Sequence, residues 1–291
     1  AYGGGVFVAE EDGKFTMCGG SITGCAAVGA SFSFGGGIHN EGTTRLSGRA
    51  EIRDCHAKAG TDSYASGGGV SDTNGVLLDI SGNVKITGCT IDGKNEVRSD
   101  AMNIGYHGNI SGGTFNGKVT NEGSITGGTF NGGVTNGENG TISGATVVAK
   151  VSTDTEFLEA LAKPYVTTIK LMGDEIRVNK AEAVEELTVD RAITLVNDSR
   201  APNLYLWLPL TIAEGGALTL EGIVYLYPCD SVVVNGGVTV GAGCGVSFDG
   251  GSPSLVINED GTVTTVKTTD AEKARSGQLS LGKNATLTVK G

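Results

Sequence analysis

The chain has 291 residues, of which 49 are Gly and only 5 Pro, and its 32 acidic against 21 basic residues give a formal net charge of −11. This balance argues against a nucleic-acid partner, because phosphate binding relies on clustered Lys and Arg. Gly without a strict third-position period excludes collagen, a 38% hydrophobic fraction with alternating apolar positions argues against disorder, and no apolar run reaches the roughly 18 residues of a membrane-spanning helix.

The first half is a repeat. Gly3-Gly4-Gly5-Val6 recurs as Gly35-Gly36-Gly37-Ile38 and Gly67-Gly68-Gly69-Val70, a spacing of 32 residues. A fixed period in this range marks a solenoid, in which each repeat buries its apolar face against its neighbours. Each triplet is followed by short alternating runs that end alike: Ser21-Ile22-Thr23-Gly24-Cys25, Glu51-Ile52-Arg53-Asp54-Cys55 and Lys85-Ile86-Thr87-Gly88-Cys89. Alternation over so few residues predicts short strands with one inward face, and Gly or Asn at their ends supplies corners.

From Asn109 to Ala145 the beat shortens. Gly113-Thr114-Phe115-Asn116-Gly117 returns as Gly128-Thr129-Phe130-Asn131-Gly132, an offset of 15 residues that is either a small closed coil or part of a larger one. Equivalent residues then stack, which predicts Phe115 against Phe130 inside and an amide ladder of Asn116 and Asn131 beside them.

At Ser152 the period changes from two to about 3.6. Thr153 and its neighbours offer N-caps, acidic residues follow, Phe157, Leu158 and Leu161 form a stripe, and Pro164 comes after the end, predicting a helix near 154–162. Its amphipathic pattern is that of a cap over a second β stack. Strand patterns resume at Thr167-Thr168-Ile169-Lys170-Leu171 and continue to Ala285-Thr286-Leu287-Thr288-Val289, with roughly 20 to 25 residues per turn. The expected fold is therefore all-β: a right-handed single-stranded parallel β-helix in two stacks, 1–150 with Gly-rich repeats and 151–291 opening on the capping helix. Because Ala1-Tyr2-Gly3 starts inside a repeat, the chain reads as a segment of a longer protein.

The triplets with Ile-Thr-Gly-Cys, and the Gly-Gly-Thr-Phe-Asn-Gly rungs, look like the right-handed parallel β-helices of bacterial surface and adhesin-like proteins. Phe34-Gly35-Gly36-Gly37-Ile38 resembles the Phe-Gly-Gly-x repeat of polymorphic outer-membrane proteins. From Thr153 onward, the helix with Val166-Thr167-Thr168-Ile169 and Leu187-Thr188-Val189 resembles the start of β-helices in pectate-lyase-like surface proteins. The resemblance implies a fold and an extracellular or cell-surface location, without specifying a ligand.

Six cysteines invite a disulfide or metal reading. Cys25, Cys55 and Cys89 share one repeat phase, which predicts a column of small apolar thiols, with a vertical disulfide open to it if the Cα atoms fall within reach. Cys18, Cys229 and Cys244 share no phase. No Cys-x-x-Cys or His-x3-His spacing is present, so no metal site and no cofactor is expected.

Parallel β-helices also host polysaccharide lyases and hydrolases, whose chemistry needs paired carboxylates or a cation-binding set beside a base. Gly105-Tyr106-His107-Gly108 only loosely resembles the Gly-His-Gly of polygalacturonases, and that family's Asn-Thr-Asp and Arg-Ile-Lys are missing, so no catalytic residue is assigned. The aromatic residues offer a different site. Tyr205, Trp207, Tyr225 and Tyr227 lie in two similar strings offset by 20 residues, and if alternate residues point outward they form a flat external face. The sequence thus predicts a non-enzymatic, adhesin-like or stalk segment of a bacterial surface protein presenting surfaces to glycans or proteins. A polysaccharide lyase or glycoside hydrolase of the parallel β-helix type is the alternative.

Overall fold

The computed structural model describes residues 1–10, 12–73, 75–93, 99–179, 184–197, 203–248, 253–266, 277–281 and 285–290. Strands pair in parallel throughout, and the fold is an all-β parallel β-helix solenoid with one α-helix among the described residues. It divides into two compact units, Ala1–Val148 and Ala149–Gly291.

In the first unit three columns of strands run through every coil. One contains Val6–Val8, Ile38–Asn40, Val70–Ser71, Met102–Ile104, Val119–Asn121 and Val134–Asn136; another runs from Lys14–Met17 to Thr141–Ile142. The third stacks Ile22, Ile52, Ile86, Phe115, Phe130 and Val147 as successive Cα partners. All of these except Ile22 are at most 1% exposed. Each such apolar side chain contributes about 1.5–3 kcal/mol by leaving water.

The two beats of the sequence are two coil sizes. The large coils add a lobe, made by Ala26–Val28, His56–Lys58 and Thr90–Asp92 in one sheet and Phe32–Phe34 with Tyr64–Ser66 in another. Its small core is Ala57, Ala59, Ala65 and Ile91. The 15-residue beat is a closed three-strand coil from which this lobe has gone. Phe115 and Phe130 stack inside it, with centroids 4.7 Å apart. Outside, Asn131 Nδ2 donates to Asn116 Oδ1 at 2.9 Å, and a second ladder joins buried Asn121 Nδ2 to half-buried Asn136 Oδ1 at 2.7 Å.

The Gly triplet is the corner leading from the lobe back to the main coil, and each glycine has its own reason. Gly35 has φ 65°, the left-handed region that side chains disfavour. A Cβ on Gly36 would lie 2.5 Å from the backbone of His56, and one on Gly37 would lie 2.8 Å from Ile52 Cγ2 and 3.3 Å from Cys55 Sγ. In the fourth coil Ser99-Asp100-Ala101 takes the triplet's place, and Ser99 Oγ accepts the Gly67 N–H at 3.1 Å.

The second unit begins with α1, Asp154–Ala162. Thr153 Oγ1 accepts from Glu156 N at 3.2 Å and caps the first turn, and Glu156 Oε2 reaches back to accept from Ser152 N, one residue before the cap, at 2.7 Å. Phe157 and Leu161 are buried and line a small apolar cavity with Ile169, Leu187, Val189, Ile193 and Leu195 at the first coil. At the other end Arg191 Nη2 donates to the carbonyls of Leu161 at 2.8 Å and Lys163 at 2.7 Å. Three columns of five strands follow, starting at Thr168–Leu171, Glu175–Asn179 and Leu187–Val189.

Candidate functional site

The four aromatic residues of the expected face, Tyr205, Trp207, Tyr225 and Tyr227, lie on the strands Asn203–Trp207 and Tyr225–Pro228. Leu204, Leu206, Leu226 and Pro228 turn inward, so period-two alternation turns Tyr205, Trp207, Tyr225 and Tyr227 outward. The rungs are offset by 22 residues rather than the expected 20: Tyr205 pairs with Tyr227, and Tyr225 with Asn203. An even shift keeps every outward residue outward but changes which ones meet, because side-chain direction has period two and the corner sets the rung partner. Trp207 stands opposite Asn179, and Tyr225 is flanked by Asn203 and Gly245.

The observed contact is a pile. Tyr205 and Tyr227 stack with centroids 4.8 Å apart and planes 17° apart, and the Arg177 guanidinium carbon sits 5.4 Å from the Tyr205 centroid. Arg177, Tyr205 and Tyr227 are successive Cα partners on three coils. Glu175 accepts from Arg177 Nε at 2.5 Å and fixes the guanidinium over the ring. Ring faces inside a pile are used by their neighbours, so the column offers edges and hydroxyls, while Trp207 remains 48% exposed.

A second aromatic surface, in the first unit, escaped the sequence reading. Tyr2, Phe7 and Phe34 surround His39 at centroid distances of 5.0, 5.7 and 5.7 Å, and Phe32 lies 6.2 Å from Phe34. Tyr2, Phe7, Phe32 and Tyr64 are each about half exposed, whereas His39 is buried. Burial pushes the imidazole below its usual pKa, with Glu41 and Asp72 opposing that shift and the N-terminal ammonium adding to it. Its Nε2 faces Glu41 Oε1 at 3.1 Å, and its Nδ1 has no hydrogen-bond partner among the described residues. Aligning the triplets would have revealed the cluster: Tyr2 and Phe34 both precede a triplet, Phe7 and His39 share a phase, and so do Phe32 and Tyr64.

Two open grooves carry charge. One of about 580 Å³ is lined by Arg49, Glu51, Asn83, Lys85 and Thr114. The other, about 480 Å³ in the second unit, gathers Glu214, Glu259, Asp260 and Lys290 around Asn235 and Asn258. Gly105-Tyr106-His107-Gly108 forms a tight turn closed by Gly108 N donating to Gly105 O at 3.0 Å. Among the described residues no three His, Cys, Asp or Glu side chains are grouped to hold a metal ion, and no helix is long and apolar enough to cross a membrane.

No protein-family model, no curated protein and no solved structure matches the chain.

Proposed function

We propose that the chain is a non-enzymatic segment of a bacterial cell-surface protein, adhesin-like or stalk-like, that presents shallow aromatic surfaces to extracellular glycans or proteins. The observation that carries this reading is the outward stacking of Arg177, Tyr205 and Tyr227 on successive coils beside the exposed Trp207. A parallel β-helix holds such columns in register at the interstrand spacing of about 4.8 Å, so weak contacts along a repeating ligand add. The likeness of the repeats to bacterial surface β-helices supports the location.

A glycan array tests this, with Trp207→Ala and Tyr205→Ala as the variants. Binding that falls about tenfold or more in these variants, with no product formed from the bound glycan, is the expected result. Equal binding by wild type and both variants would remove the aromatic column from the function.

The groove holding Glu214, Glu259 and Asp260 favours a second reading, a polysaccharide lyase or glycoside hydrolase. All three carboxylates are exposed, whereas a general acid requires an apolar environment. Turnover of a bound glycan that disappears in Glu259→Gln or Asp260→Asn would establish this alternative and overturn the non-enzymatic one.

A further inference from the structure

The structure places Cys25, Cys55 and Cys89 in one line along the first unit. Each follows a residue with left-handed backbone, Gly24 at φ 63°, Asp54 at 55° and Gly88 at 64°, so the three corners have the same shape. Strand pairing brackets the column on both sides: Thr23, Arg53 and Thr87 are Cα partners before it, and Ala26, His56 and Thr90 after it. His56 N donates to Cys25 O at 2.8 Å and Thr90 N to Cys55 O at 3.0 Å, which holds consecutive cysteines one interstrand spacing apart. That spacing, about 4.8 Å, falls inside the Cα range of roughly 4.4–6.8 Å that a disulfide spans.

The side chains also point alike. The three Sγ atoms donate to the carbonyls of Thr23, Arg53 and Thr87 at 3.6, 3.3 and 3.5 Å. Cys55 Sγ also lies 3.8 Å from Ile22 O and Cys89 Sγ 3.9 Å from Ile52 O, so each thiol leans toward the coil before it. Access is graded: Cys25 is half-buried, and Cys55 and Cys89 are buried.

We propose that this column is a dithiol–disulfide site in which Cys25 and Cys55 are joined along the solenoid axis by a low-molecular-weight disulfide as oxidant. Cys25, as thiolate, attacks the small disulfide, forming a mixed disulfide and releasing one small thiolate. The Cys55 thiolate then attacks Cys25 Sγ, and the bond to the remaining small thiol breaks as the Cys25–Cys55 bond forms. The protein loses two electrons and two protons, and the oxidant leaves as two thiols. Burial and then Cys55 push the Cys25 thiol up, so access rather than acidity makes it the first to react; the thiols of Cys89 and then Cys25 hold Cys55 below its ordinary pKa, which suits it to the second step, while Cys55 and burial push Cys89 up and leave it a thiol.

Oxidised glutathione is the probe, followed by alkylation, tryptic digestion without reductant and mass spectrometry. Because Cys18 shares the Phe15–Arg45 peptide with Cys25, the experiment uses Cys18→Ser, a change at an exposed position. The expected product joins that peptide to Asp54–Lys58, which carries Cys55, and leaves Cys89 free. Cys55→Ser is expected to stop at the glutathione adduct on Cys25, and Cys25→Ser to oxidise at least tenfold more slowly, having lost the accessible thiol. A reaction that stops at the Cys25 adduct with Cys55 intact, or that links Cys55 to Cys89, overturns the proposal. The Cys18→Ser map decides this without the other two variants, so their folding does not affect the answer.

Discussion

His39 lies flat against Phe7, with ring centroids 5.7 Å apart and planes 8° apart, although the two residues belong to different coils. The contact places an imidazole where water does not reach it, with Nδ1 unpartnered among the described residues. Burial lowers its pKa in the folded protein. Below about 6.5, the ordinary His value, the unfolded chain binds a proton that the folded chain resists. Stability contributed at His39 is therefore full above that pH and declines as pH falls toward the lowered folded value. Urea unfolding at pH 7.5 and 5.0 should show a larger acid loss for wild type than for His39→Phe, which keeps the stacked ring without the titration. Identical acid losses would rule out His39 as the source.

Gly37 and Gly19 make a matched pair. A Cβ at Gly37 would sit 2.7 Å from Gly69 O and 2.8 Å from Ile52 Cγ2, whereas one at Gly19 meets nothing within 4 Å. Gly37→Ala should cost about 1–3 kcal/mol by overpacking. Gly19→Ala should stay within about 0.5 kcal/mol. Thermal unfolding of the two variants checks the contrast, and equal effects would refute the reading of the triplet's third position.

Removal of one ring from the Phe115–Phe130 stack leaves a cavity among fully buried neighbours. Phe130→Ala is expected to destabilise the first unit by about 3–5 kcal/mol. Asn131→Ala, which deletes only the exposed amide bond to Asn116, should cost about 1 kcal/mol or less. Denaturant midpoints would separate them, the inner ladder outweighing the outer one.

Arg191 ties the C-terminal turn of α1 to the strand that follows it. Besides the carbonyls of Leu161 and Lys163, it donates from Nε to Val166 O at 3.2 Å. Arg191→Met should lose about 1–3 kcal/mol. Arg191→Lys should restore little, since a point charge cannot reproduce the planar fork. Amide hydrogen exchange over residues 157–161 is the readout, with faster exchange expected in both variants.

Much of this was legible in the sequence. The helix ends agree with 154–162 because an N-cap, an apolar stripe and a following Pro are local signals. Phe115 and Phe130 were legible as an inward pair because an unbroken 15-residue offset leaves no freedom in the register. Tyr205 and Tyr227 were legible only as outward residues; similar strings suggested one partnership, and the corner between the strands created another. The ladder of buried Asn121 and half-buried Asn136 was hidden because amides ordinarily face water, and these are satisfied by each other at 2.7 Å and by the carbonyls of Gly123 and Gly140. The His39 cluster, dispersed in sequence from Tyr2 to His39, becomes legible only when the triplets are aligned.

The sequence by itself determined the coil: where strands run, which residues face inward, where the beat changes and where the helix stands. These follow from period-two alternation, backbone demands at glycine and capping, each a property of a few adjacent residues. Only the tertiary structure decided that the short beat closes on three strands, that Gly37 leaves room for Ile52 and Cys55, and which outward rings meet. Corners of unequal length set those rung partners, and a corner's length fixes register only after the next coil has packed against the last.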